Sequence, residues 1–282
     1  MTVGNWYTQI TDRLTKAGCD SPAFDAVCLL EDVGGVPRGQ VSAASDRPLD
    51  AAVETALKAA VIRREQGYPL QYILGEWEFL SLRLKVGEGV LIPRPDTELL
   101  CETVADRLDR RFGNSPTKVL DLCAGSGCVG LGIASLHKGA TPTLVEKSDA
   151  AFAYLTANVD RYPQFGGEAV KADIFTAPVP TAAYHALVSN PPYIPTADLA
   201  GLMREVQHEP QMALDGDADG LVFYRAIADR WLASLLPGGI CAVEVGIGQA
   251  QDVAAIFKAA GLLDVEIKTD YGGVDRVVVG HI

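Results

Sequence analysis

The spacing of apolar residues changes period along the chain, and the changes divide it. Over residues 1–75 the period is helical. Asn5 is placed to cap a first helix that carries Trp6, Ile10 and Leu14 and stops at Gly18. Ser21-Pro22 supplies the N-cap and first-turn proline of a second, with Phe24, Val27, Cys28 and Glu31 spaced for one face. A third starts at Asp50, carries Val53, Ala56, Leu57, Ala60 and Val61, and ends at Gly67 and Pro69. These segments predict a small helical bundle without evident catalytic residues. Over residues 76–90 the period becomes two. Leu82, Leu84 and Val86 alternate with Arg83 and Lys85, and Gly87-Glu88-Gly89 has turn chemistry, so a β-hairpin connector is expected.

After Pro93-Arg94-Pro95-Asp96, a helix is expected from about Thr97, with Leu99, Leu100, Thr103, Val104 and Leu108 on one face. Short apolar runs then follow at 118–122, 143–146, 169–172, 186–189, 240–245, 265–268 and 276–280, the early ones separated by helix-length amphipathic segments. Alternating strand and helix predicts an α/β fold with a mainly parallel sheet covered on both faces. The last two runs lie close together, which predicts an antiparallel hairpin at one edge. The division that results is 1–75, 76–90 and 91–282.

Composition narrows this only a little. With 282 residues, 48% hydrophobic and 21% charged, the chain can bury an ordinary globular core. No basic segment leads into an apolar one at the start, and no run of about 18 apolar residues occurs, so a cytoplasmic protein without a membrane partner is expected. Six scattered cysteines without a C-x-x-C pair read as reduced, packed thiols. The net charge of −12 divides into −2 up to Lys85 and −10 beyond it. A phosphate-tracking face needs the opposite sign, so no stable nucleic-acid partner is expected.

The candidate chemistry follows two of the apolar runs. Val119–Leu122 leads into Cys123-Ala124-Gly125-Ser126-Gly127-Cys128-Val129-Gly130, in which Gly125, Gly127 and Gly130 spell G-x-G-x-x-G. Glu146 ends the next run, where an acid can accept hydrogen bonds from both ribose hydroxyls. Such a loop suits an adenosine ligand, either a nicotinamide dinucleotide or S-adenosylmethionine. Asp121, four residues before Gly125, favours the second, because a buried acid there can order the loop and meet an ammonium group. A sulfonium ligand also suits acidic surroundings better than a pyrophosphate does. Asp173 follows the third run and can accept from an adenine amino group, with Ile174 packing on the ring.

After the fourth run comes Asn190-Pro191-Pro192-Tyr193. Two prolines fix the backbone and remove two N–H donors, so carbonyls face whatever lies at the carboxyl end of the sheet. The Asn190 side-chain oxygen and the Pro191 carbonyl can together accept both hydrogens of a planar NH₂ group. That nitrogen is a poor nucleophile until it is held, and Tyr193 offers a flat face for stacking the substrate plane.

On these residues the chain resembles the protein-(glutamine-N5) methyltransferases that act on class 1 peptide-chain release factors. The likeness spans nearly the whole chain and includes Tyr68–Gly75, Leu91–Glu98, the glycine loop, Asn190–Tyr193, Glu209-Pro210, Ala213-Leu214 and Asp219–Leu221. It implies a Rossmann-like seven-stranded methyltransferase sheet, with the N-terminal helices as a substrate-recognition domain joined by the hairpin. It implies that Cys123, Ala124, Gly125, Ser126, Gly127, Glu146, Ile174 and Asn190 contact S-adenosylmethionine. It further implies that Asn190, Pro191, Pro192 and Tyr193 hold the glutamine of a Gly-Gly-Gln loop. Two positions depart from the family: Cys123 stands where Gly is usual, and Ile174 where an aromatic is frequent.

Other signals carry less. Asp215–Gly220 imitates the start of a calcium loop, but Ala226 occupies the position of its closing Glu. The four histidines lack metal-ligand spacing, and no G-x-S-x-G elbow occurs. The competing functions are an adenine-N6 methyltransferase on nucleic acid, a ribosomal-protein glutamine methyltransferase, a dehydrogenase, and a non-enzymatic adaptor. The charge split argues against the first, and the intact loop, Glu146 and tetrapeptide argue against the last.

Overall fold

The computed structural model describes residues 1–113 and 115–282. Contacts divide the chain into two units, Met1–Glu76 with Met203–His208, and Trp77–Leu202 with Glu209–Ile282. Among the described residues, no helix is long and apolar enough to cross a membrane.

The first unit is built from α1 (Val3–Lys16), α2 (Pro22–Asp32), α3 (Ala51–Glu65) and the short α4 (Leu70–Leu74). Trp6, Ile10 and Leu14 form the buried stripe of α1, as their spacing requires. The helix starts earlier than expected: Thr2, not Asn5, is the N-cap, and its hydroxyl accepts from Asn5 N at 3.3 Å. The buried face of α2 also differs from the expected one. Asp25, Ala26, Cys28, Leu29 and Leu30 are buried, while Phe24 is 46% exposed. The cause is a charge that apolar spacing does not register. Arg64, on α3 and itself buried, donates to Asp25 at 2.6 Å and pairs with Glu205 at 2.6 Å. Burial raises the Asp25 carboxyl against the pull of Arg64. Glu205 belongs to Met203–His208, a segment the apolar pattern leaves with the second unit.

β1 (Glu76–Phe79) and β2 (Leu82–Lys85) form the hairpin, which from Trp77 on belongs to the second unit. Phe79, Leu82 and Leu84 are buried in one core with Leu100, Val104 and Leu108 of α5 (Glu98–Phe112) and Val129 and Leu131 of α6 (Cys128–Leu136). Three of the hairpin's apolar residues are thus packed into the core of this unit. The strands β3 (Thr117–Leu122), β4 (Ala140–Glu146), β5 (Glu168–Lys171), β6 (Tyr184–Ser189), β7 (Leu235–Glu244), β8 (Leu263–Thr269) and β9 (Asp275–His281) make one seven-stranded sheet of order β5-β4-β3-β6-β7-β9-β8. The first five are parallel, and β9 pairs antiparallel with both β7 and β8, giving the expected edge hairpin. The opposite face is covered by α8 (Val222–Ala226), a π-helical turn through Trp231, and α9 (Ala250–Ala259), which bury Tyr224, Ile227, Val253 and Phe257.

This order fixes where a ligand belongs. From β3 the chain runs outward through β4 to β5, then returns to lay β6 against the other side of β3. The crevice beyond the carboxyl ends of β3 and β6 is therefore the switch point at which open α/β sheets bind ligands. The glycine loop leaves β3 and the Asn-Pro-Pro-Tyr segment leaves β6, so both candidate motifs flank it.

Candidate active site

The loop after β3 turns through three left-handed positions, Cys123 (φ 60°), Gly125 (φ 56°) and Gly127 (φ 84°), the last being the N-cap of α6. A Cβ on Gly125 would meet no atom nearer than Val90 at 4.0 Å, so this backbone faces open space rather than packed protein. Glu146, at the end of β4, holds the loop: its carboxylate accepts from Gly125 N at 2.9 Å and Ser148 N at 2.6 Å. Each oxygen keeps lone-pair capacity on a nearly buried group. Asn158 of α7 (Asp149–Arg161) ties the loop to the hairpin, donating to Ser126 O at 2.9 Å and Lys85 O at 3.0 Å while accepting from Lys85 N at 2.7 Å. Asp121 lies beneath, fully buried, accepting from Gly130 N at 2.8 Å. Burial pushes it up to about 7 despite that N–H. It orders the loop as expected and is not among the residues that line the cavity.

After β6, Ser189 Oγ donates to Leu122 O at 2.6 Å and joins the two strand ends at the switch point. Asn190 Nδ2 donates to Thr97 Oγ1 at 3.1 Å, which commits the nitrogen and leaves Oδ1 as an acceptor. The Tyr193 carbonyl accepts from Gln249 Nε2 at 2.9 Å, and the Tyr193 hydroxyl approaches Glu244 Oε1 at 3.5 Å. The Asp215–Gly220 segment packs behind. A Cβ on Gly216 would fall 2.8 Å from the Tyr193 carbonyl carbon, and Gly220 (φ 73°) crowds the same carbonyl. These glycines let one backbone approach another, and the neighbouring acids serve the turn. Asp215 accepts from Thr196 Oγ1 at 2.7 Å and Asp217 N at 3.0 Å, and Asp219 pairs with Arg225 at 2.6 Å. Among the described residues, no group of three or more His, Cys, Asp or Glu side chains is arranged to hold a metal ion.

Between the two motifs lies a cavity of ≈ 1000 Å³, the solvent in its open mouth included. Cys123, Ala124, Gly125, Ser126, Glu146, Asp173, Ile174, Asn190 and Pro192 line it. Gly127, Pro191 and Tyr193 do not: Gly127 packs towards Leu155, and Tyr193 turns its hydroxyl inward to Glu244 instead of lying along the wall. Asp173 is partly engaged, accepting from Phe175 N at 2.9 Å and pairing with Lys147 at 3.0 Å. Those partners hold its carboxyl below the usual range although burial acts to raise it. Phe175 and Phe223, in edge-to-face contact at 5.1 Å, add an aromatic wall beside Ile174. The stacking surface that Ile174 lacks is thus present on neighbouring residues that no motif singles out.

The segment Leu91–Arg94, within one of the stretches on which the resemblance rests, forms a strap along the cavity. Its Ile92 N donates to Glu209 Oε2 at 3.0 Å, and Arg94 pairs with the other Glu209 oxygen. The Glu209 side chain is almost wholly buried, and Pro210, Met212 and Ala213 continue the wall. The open glycine cradle, an acceptor carboxylate at the ribose position and an apolar aromatic end together fit an adenosine-bearing sulfonium cofactor.

Comparison with known proteins accords with this geometry. Residues 5–75 match the PrmC N-terminal domain, and residues 95–214 the methyltransferase small domain. A release factor glutamine methyltransferase of Caulobacter vibrioides is 36% identical over 99% of this chain and 96% of its own length. One of Geobacter sulfurreducens is 38% identical over 95% and 93%, and one of Moorella thermoacetica 35% over 100% and 99%. Among solved structures, the hMettl16 catalytic domain bound to an RNA hairpin superposes with a TM-score of 0.55 at 14% identity, covering 83% of each chain. A Pyrococcus furiosus methyltransferase gives 0.52 at 14%, covering 82% of this chain and 98% of the other. At such identities the structural likeness speaks for the fold alone.

Proposed function

The chain belongs to the release factor glutamine methyltransferases, and on that premise we propose that it methylates the side-chain amide nitrogen, N5, of the glutamine in the Gly-Gly-Gln loop of class 1 peptide-chain release factors. S-adenosylmethionine supplies an electrophilic methyl group on a sulfonium centre. The single observation that carries the substrate class is the state of Asn190: its nitrogen is committed to Thr97, and its oxygen is left to accept, at the wall of a cavity built for an adenosine ligand.

The steps performed by this chain follow from that arrangement. The Gly125 backbone and Glu146 hold the nucleoside end, with Ala124, Ser126, Cys123 and Ile174 enclosing it. Asn190 Oδ1 accepts one amide hydrogen at the cavity wall, and the Pro191 carbonyl, set behind that wall, is the second acceptor once the glutamine enters; together they fix the nitrogen and raise its electron density. Pro192 and Tyr193 limit the motion of that acceptor pair. Positioning supplies most of the acceleration, for which ideal systems show about 7–11 kcal/mol. No strong base is required, because the nitrogen becomes acidic only as the new C–N bond forms, after which water can take the proton.

The helices of residues 1–75 are assigned to substrate recognition, and the reaction to the cytoplasm, where release factors work. The net charge of −10 beyond Lys85 favours a protein loop over a nucleic-acid base as the NH₂ donor. Labelled S-adenosylmethionine with a purified release factor tests the reading, against the same factor with its Gly-Gly-Gln glutamine changed to alanine. Label is expected only in the first, and equal labelling refutes the assignment. Asn190→Ala is expected to abolish turnover while calorimetry still registers cofactor binding; near-normal turnover would remove Asn190 from the acceptor pair.

A further inference from the structure

On the reading above, we infer that Arg276 is a positioning residue for methyl transfer: it pins the turn Pro95–Thr97, from which Thr97 holds Asn190 at the cavity wall.

The topology brings Arg276 to the right edge. Asn190 follows β6 and so stands at the carboxyl end of the parallel strands. β9 runs antiparallel to β7, which carries its first residues, Asp275 and Arg276, to that same end. Val245 N, just past the end of β7, donates to Arg276 O at 2.8 Å and fixes the backbone there. The Arg276 side chain is 16% exposed and is not among the groups that line the cavity. Its effect on the reaction must therefore pass through its partners.

Two carboxylates share its guanidinium. Nε donates to Asp270 Oδ2 at 2.9 Å, and Nη2 pairs with Asp96 Oδ2 at 3.0 Å. Asp270 belongs to the turn between β8 and β9, where its other oxygen accepts from Gly272 N at 2.8 Å and Val274 N at 2.9 Å. An ion pair with a half-exposed partner ordinarily contributes little, because ordering two long side chains opposes it. Here the arginine is a rigid fork already held by Asp270, and the aspartate is short. The pair therefore fixes position more than it adds stability.

Asp96 sits in the single turn Pro95–Thr97 ahead of α5. Thr97, next in the chain, is buried: its N donates to Arg94 O at 3.1 Å, and its hydroxyl accepts from Asn190 Nδ2 at 3.1 Å. Leu100 and Val104 anchor α5 in the core, and Arg276 anchors the turn before it. One ion pair, one peptide link and one hydrogen bond thus join Arg276 to the acceptor amide.

The test reads Asp96→Asn first, because it leaves the Asp270–Arg276 pair and its turn intact. On a release factor, kcat is expected to fall roughly 10-fold, short of the roughly 100-fold of a misplacement of about 1 Å, with KM and cofactor affinity unchanged. Asp96→Glu is expected to restore most of the rate. Arg276→Gln is expected to be at least as slow as Asp96→Asn, and the double variant no slower than Arg276→Gln alone, since the pair is already broken. Arg110→Gln, which breaks the exposed pair with Asp106 on α5, serves as control and is expected to keep the wild-type rate. Wild-type kcat in Asp96→Asn, no recovery in Asp96→Glu, singles whose effects multiply, or an equal loss in Arg110→Gln overturns the inference. Without substrate, the Asn190 side-chain amide signals in NMR of the full-length protein are expected to move in Asp96→Asn and not in Arg110→Gln; unmoved signals in Asp96→Asn also overturn it. If the wild type leaves the release factor unmethylated, the substrate assignment falls, while the amide signals still decide the role of Arg276.

Discussion

Cys123 holds a backbone conformation, φ 60°, that L-residues avoid at a cost of about 1–2 kcal/mol, at the place where a glycine would turn without strain. The residue lines the cavity, and enclosure by protein, with Glu146 and Asp121 adding to it, pushes the thiol well above its ordinary value. It is therefore protonated at neutral pH and serves as wall, not nucleophile. Cys123→Gly exchanges the lost contacts for relief of strain and is expected to unfold in urea within about 1 kcal/mol of the wild type. Cys123→Val places a β-branched residue in the left-handed region and is expected to cost about 2 kcal/mol or more. A Val variant as stable as the wild type would refute the strain. The same residue scale explains which site groups could be read from the chain. Glu146 and Asn190 are legible because each follows an apolar run that predicts a strand, so topology puts them at the binding edge. Asn158, Thr97 and Glu209 carry no such signal: each is a polar residue whose burial depends on a partner far away in the chain.

At the scale of elements, the strap shows how a buried charge fixes a segment that has little regular structure. Glu209 binds Ile92 N and Arg94 together, so its removal leaves a buried N–H and a guanidinium without their shared acceptor. Glu209→Ala is expected to loosen Leu91–Arg94 and raise the cofactor dissociation rate about tenfold or more, on the scale of about 1.5–3 kcal/mol for a charged hydrogen bond. Stopped-flow displacement of bound cofactor measures this, and an unchanged rate would detach the strap from binding. Legibility follows the same line. The alternation that predicts the parallel sheet survives because both faces of β3, β4 and β6 are buried, which leaves continuous apolar runs. The buried face of α2 is misread from apolar spacing because Asp25 faces inward to Arg64, an ion pair spanning 39 residues. The attachment of Met203–His208 to the first unit is missed for the same reason, since Glu205 is held there by Arg64.

For the whole molecule, the acidic balance of −12 conceals carboxylates with opposite consequences for stability. Asp215, Asp219, Glu266 and Asp270 are held below their ordinary values by hydrogen bonds or salt-bridging partners, and Asp173 is held there against burial by the Phe175 N–H and Lys147. Their stabilisation is complete at neutral pH and is lost only under acid conditions, below their unfolded values near 4. Asp121 and Glu244 are the reverse, pushed by burial up to about 7. Between about pH 4 and 7 the folded chain keeps protons on these two groups that the unfolded chain has released, so stability falls as pH rises through that window. His185, lowered by burial and Lys118, acts in the opposite direction, but it is a single, partly exposed ring. At about 1.4 kcal/mol per pKa unit, the unfolding free energy without cofactor is expected to drop by about 2 kcal/mol or more between pH 5 and 8. Urea unfolding across that range measures the slope. Asp121→Asn and Glu244→Gln should each remove part of it, whatever they do to the absolute stability. A wild-type slope that is flat or rising would mean that these carboxyls titrate as ordinary acids, and Glu244 would then be charged at every pH where the enzyme works.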